Sequence, residues 1–123
     1  MKIEVSNGEI MDKLTILEIK LEKIEDPEKH HNIEKEYRLL REAAAGILPQ
    51  NDPLYKQLKD VNMQLWDIED RIRELERKNN FGEEFIKTAR SVYRQNDLRA
   101  ELKRRINEKT GSGLMEEKSY KLY

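Results

Sequence analysis

The chain has 123 residues, 40% of them charged and 37% hydrophobic, with a net charge of −1. That length supports one domain core, and a mixture rich in Glu, Lys, Leu and Arg with only three prolines and five glycines is that of long helices. The lack of cysteine excludes disulfides, thiolate metal sites and a cysteine nucleophile.

The chain opens with the alternating run KIEVS, too short to be more than one edge strand or a short extended N-terminal arm. Ser6 and Glu9 then form a capping box before an apolar run, in which the Ser6 hydroxyl accepts from the Glu9 amide and the Glu9 carboxylate reaches back. The first predicted helix carries Ile10, Leu14, Leu17, Leu21 and Ile24 at alternating +4 and +3 steps. It stops at Asp26-Pro27, because proline disfavours a helical residue before it and suits the first turn of the next helix.

The second helix repeats the spacing through Ile33, Tyr37, Leu40, Ala44 and Ile47, and Gly46, Pro49 and Pro53 end it. Asp52 caps the third, whose seam runs Leu54, Leu58, Val61, Leu65, Ile68, Ile72, Leu75 without interruption. Asn79, Asn80 and Gly82 make the next turn, and a fourth helix extends from about Glu83 to Thr110. The expectation is an all-α, antiparallel bundle of about four helices with coiled-coil-like heptad seams. Sequential helices lie beside one another, because their connections are short. A single domain covers residues 1–110, and 111–123 form a flexible tail.

Two features point to surfaces. Ile16 and Ile19 lie roughly 180–240° around the first helix from Ile10, at about 100° per residue. A helix apolar on two sides is central to its fold or shared between subunits. With four one-sided helices sufficient for a bundle, a homo-oligomer is expected, a twofold dimer before others. Ile16, Ile19 and Trp66 are its candidate interface, aromatics being enriched at such contacts.

The second feature lies in the last helix, which carries eight Lys/Arg against three Asp/Glu over residues 87–110. Its seam of Phe85, Ala89 and Val92 continues onto Asn96, Arg99, Lys103 and Asn107, while Leu98, Leu102 and Ile106 form a different stripe. With no Gly or Pro to break it, the helix is read as continuous, its two halves facing different neighbours. Charges on a core ridge must meet acids, solvent or an anion. An ion-pair cluster with acids of the first or third helix is the favoured expectation. Asn96, Arg99 and Lys103, with Lys13, are the alternative, a group holding a carboxylate or phosphate. His30 and His31 lack metal-ligand spacing, so no metal or other cofactor is expected.

Val5–Ile24 (VSNGEIMDKLTILEIKLEKI) and Phe85–Asn107 (FIKTARSVYRQNDLRAELKRRIN), together with LWDIEDRIRELE, resemble a small bacterial and phage-encoded family catalogued as a domain of unknown function. The resemblance spans residues 3–110 and implies a stand-alone helical domain, with no substrate, cofactor or catalytic residue to carry across. The expected function is therefore a non-enzymatic interaction or scaffold module that self-associates, with an acidic protein as a further partner. Anion binding or an enzyme using that group comes next. Nucleic acid is third, since acids interrupt the basic helix and only Tyr93 is near for stacking. Nothing approaches a membrane-spanning run or a signal peptide, so the location expected is cytoplasmic.

Overall fold

A computed structural model of the chain describes residues 1–115 and 117. Among them the regular structure is four helices: α1 (Asn7–Lys23), α2 (Pro27–Ala45), α3 (Pro53–Arg77) and α4 (Glu83–Thr110). The starts follow the local chemistry. Ser6 accepts from the Glu9 amide at 3.2 Å, Asp26 from Lys29 at 3.0 Å and Asp52 from Leu54 at 2.9 Å. The reciprocal half of the first capping box does not form, because Glu9 gives its carboxylate to Lys103 instead. Residues 1–5 are exposed and belong to no regular element, so KIEVS is not a strand.

α1 and α2 form one antiparallel hairpin, registered by Tyr37 beside Glu18 and by His30 Nε2 at 3.2 Å from the Leu21 carbonyl. α3 and α4 form the second, pinned by Arg71 to Glu84 near its turn and by Lys109 to Asp52 (2.6 Å) at its open end. α4 is continuous through Asn96 and Asp97. It ends where Gly111 takes a left-handed conformation (φ 65°) and the Ser112 amide bonds the Asn107 carbonyl. Of the expected tail, residues 116 and 118–123 lie outside the described residues. Ser112 Oγ accepts from the Asn7 amide at 3.1 Å.

The helices do not close the ring that short connections suggest. α1 packs against α2, α3 and α4, and α3 against α4, but α2 and α3 are not a close pair. α1 crosses the open end of the α3/α4 hairpin, with α2 on its other side. The core sits at that crossing: Met11 and Leu14 meet Tyr55, Leu58 and Val61 of α3 and Leu102 and Ile106 of α4. Ala44 and Leu48 close it from the end of α2 and the following loop.

This topology answers the two-sided helix from within the chain. Ile19 is 1% exposed, because α2 and the hairpin occupy opposite sides of α1. Ile16 and Trp66 remain partly exposed.

Candidate functional site

The crossing is built on a close approach. Gly8 lies in the first turn of α1 against the backbone of α4, where an added Cβ would stand 2.5 Å from the Lys103 carbonyl oxygen. Only glycine permits that distance. The Gly8 amide, one of the donors left over at a helix start, reaches Asn107 Oδ1 at 2.6 Å. The Asn7 side chain adds a bond to Thr110 at 3.0 Å.

One turn on, α1 brings a carboxylate into the interior. Asp12 is 3% exposed, and Arg99 holds it with both arms of a planar fork, Nε to Oδ1 at 2.9 Å and Nη2 to Oδ2 at 2.6 Å. Asn62 of α3 donates to Asp12 Oδ1 at 2.9 Å and to Thr15 Oγ1 at 2.7 Å. Thr15 returns its own proton to the Asp12 carbonyl at 2.7 Å. A buried charge is tolerable only when paired and fully hydrogen-bonded, and this group joins α1, α3 and α4 around one that is.

Of the residues singled out from sequence, Arg99 and Lys103 therefore project onto α1, where Asp12 and Glu9 face them. The acids lie on the first helix. Asn96 is partly buried one turn earlier on the same ridge of α4. Lys13 does not join them: it is exposed and pairs with Glu36 of α2 at 3.4 Å. Among the described residues no group of His, Asp and Glu is arranged to hold a metal ion, and His31 is exposed.

Beside the crossing, α1 and α3 diverge and leave a groove of about 490 Å³. Ile16 and Ile19 line one wall and Leu65 and Trp66 the other, with Glu69, Asp70, Arg73 and Arg99 supplying charge. The residues expected at an interface and the arginine expected at an anion site thus share one concave surface.

A second polar group was not visible from helix periodicity. Glu18 of α1 accepts from Tyr55 OH at 2.9 Å, from Tyr37 OH at 3.4 Å and from Gln50 Nε2, and Lys59 stands 3.0 Å from its other oxygen. Burial holds the Tyr55 phenol protonated far above its ordinary range. Burial opposes the charge on Lys59, but its bonds to Glu22 and Glu18 outweigh that and keep its pKa above the usual value. Four side chains thus converge on this one carboxylate and fix its place. It ties α2 and α3 to α1 in place of direct α2–α3 packing.

No helix among the described residues is long and apolar enough to cross a membrane. Residues 1–123 match a family described as a family of unknown function (DUF6165). No curated protein and no solved structure matches the chain.

Proposed function

We propose that this chain, which belongs to the DUF6165 family of unknown function, is a non-enzymatic helical interaction module that self-associates through its α3/α4 hairpin. One observation carries the proposal. The third-helix seam is buried where α1 crosses it, with Leu58 at 0% and Val61 at 8% exposure. Beyond the crossing the same seam loses its cover: Leu65, Ile68 and Ile72 are partly exposed, as are Phe85, Ala89 and Val92 across from them, and only Leu75 is buried. Phe81 and Ile86 near the tip are 50% and 55% exposed.

Helices in proteins owe most of their stability to a packed apolar face, and a two-helix arm cannot enclose its own seam. Twofold pairing of two arms makes a four-helix bundle that can. Charge favours the same arrangement. Residues 51–86 carry nine acids against six bases, while 87–110 carry eight bases against three acids. A twofold pair that sets the acidic helix of one copy beside the basic helix of the other joins opposite charges.

Anion binding at Arg99 and Lys103 is less well supported, because both already face carboxylates. Nucleic-acid binding along α4 is weaker for a similar reason: Arg105 pairs with Glu101 at 3.1 Å and Arg104 with Glu108 at 3.4 Å. The test is the mass in solution over a dilution series, measured by light scattering. Self-association gives a mass approaching twice 14.7 kDa as concentration rises. A mass fixed at the single-chain value into the hundreds of micromolar contradicts it.

A further inference from the structure

We infer that the two arms lie in opposite directions, so that the tip of each, Phe81 with Phe85, seats in the other copy's groove between α1 and α3; this rests on the self-association proposed above. The tip is an aromatic knob. Phe81, in the turn before α4, is 50% exposed, and its ring stands edge-on to that of Phe85 with centroids 5.3 Å apart. Phe85 begins the α4 half of the uncovered seam, so the knob stands on the face that a second copy has to cover. A turn calls for Asn or Gly rather than Phe, whereas an exposed aromatic is the usual anchor of an interface.

The direction follows from where α1 lies. It covers the seam face at the open end of the arm, as far as Asn62 and Arg99, which meet on Asp12. Two copies with their open ends together would each need the space that the other's α1 fills. Turned end for end, each arm covers the other's seam, and each tip comes to rest against the other's α1. The uncovered part of α3, Leu65 to Arg77, is about 18 Å long. Two such stretches laid head to tail bring the tip of one level with Leu65 and Trp66 of the other.

The groove lies at that end of the seam. Ile16 and Ile19 on α1 and Leu65 and Trp66 on α3 give apolar walls to its 490 Å³. Its charges are of both signs, Glu69 and Asp70 with Arg73 and Arg99. So are those beside the tip, Arg77 and Lys78 with Glu83 and Glu84. Two mixed rims let acids face bases in both directions, which a patch of one sign would not. A twofold axis repeats the contact, and two tips in two grooves double the buried surface toward that of a stable dimer.

The chain has no cysteine, so introduced ones can be crosslinked without background. In the full-length protein, Asn80→Cys marks the tip and Ile16→Cys the α1 wall of the groove, at an exposed and a partly exposed position. Treated with a short bismaleimide, an equilibrated mixture of the two should give covalent dimers, and neither variant alone should. Phe81→Glu changes an exposed turn residue, and circular dichroism checks that it stays helical. Sedimentation equilibrium should show it dimerising about tenfold or more weakly than the wild type. The pairing is overturned, and self-association left standing, by a dimeric wild type with any of three results: Asn80→Cys links to itself, the mixture does not link, or Phe81→Glu dimerises unchanged. A wild type that stays monomeric overturns both.

Discussion

Replacing Gly8 by alanine tests the close crossing of α1 and α4 at its tightest point. The new Cβ would meet the Lys103 carbonyl oxygen at 2.5 Å, its carbon at 3.1 Å and Asn107 Oδ1 at 3.0 Å. The first two are backbone atoms, so no rotamer change relieves the clash and the first turn of α1 must lift away. Overpacking of this kind costs about 1–3 kcal/mol, and stretching the 2.6 Å bond from Gly8 to Asn107 costs about 1 kcal/mol more. Alanine's better helix propensity returns at most about 1 kcal/mol. The net expectation is a loss of roughly 1–3 kcal/mol in urea unfolding followed by far-UV circular dichroism. Gly46→Ala is the control, because its nearest neighbour would be the Ala43 carbonyl at 4.0 Å and its φ of −80° suits any residue. That variant should match the wild type or slightly exceed it. A Gly8→Ala protein as stable as Gly46→Ala would refute the close-approach argument.

Two further perturbations address the polar groups. Asp12→Ala strips the partner from Arg99 and Asn62 and should cost about 3 kcal/mol. In a double-mutant cycle with Arg99→Gln, the pair should couple by about 1–3 kcal/mol, and a coupling near zero means that it is not a strut. Tyr55→Phe removes the 2.9 Å bond to Glu18, for a loss of about 1 kcal/mol at neutral pH. It should also change the alkaline limb. The unfolded chain releases this proton near the ordinary value of 10.0, whereas the folded chain retains it well above. Tyr55 stabilisation is thus full below that pH and is lost as pH rises past it, so Tyr55→Phe should flatten the fall in melting temperature above pH 10. Parallel alkaline limbs would contradict the burial argument.

Much of the fold is local chemistry and was readable as such. Ser6, Asp26 and Asp52 cap where their side chains dictate, the prolines follow at the starts of α2 and α3, and the seam of α3 has one period throughout. The long-range arrangement was not readable in the same way. Short connections suggest neighbouring helices, yet α2 stands on the far side of α1 from the hairpin, because α1 has two apolar stripes to cover. The second stripe held a signal that charge alone conceals. Asp12 precedes Ile16 by four residues and Ile19 by seven, so it continues that stripe into the bundle. It meets Arg99, which likewise sits where an apolar seam should continue. Arg99 is marked by its place on that seam as a charge needing an acid, whereas Asp12 alone looks like a solvated charge, and their placement opposite one another identifies it as the partner. Gly8 carried no signal, since a glycine in a first helical turn is unremarkable until another backbone lies against it. Glu18 was hidden similarly, its donors coming from α2, the α2–α3 loop and α3.

Amide hydrogen exchange at low and high protein concentration tests most directly whether the α3/α4 arm completes its core in a second copy. The account predicts that amides near Ile68, Ile72, Phe85, Ala89 and Val92 exchange more slowly as concentration rises. Those near Leu14 and Leu17, already 0% exposed within one chain, should not change. Arm amides that exchange at one rate across the whole concentration range, in a chain of single-copy mass, would contradict it.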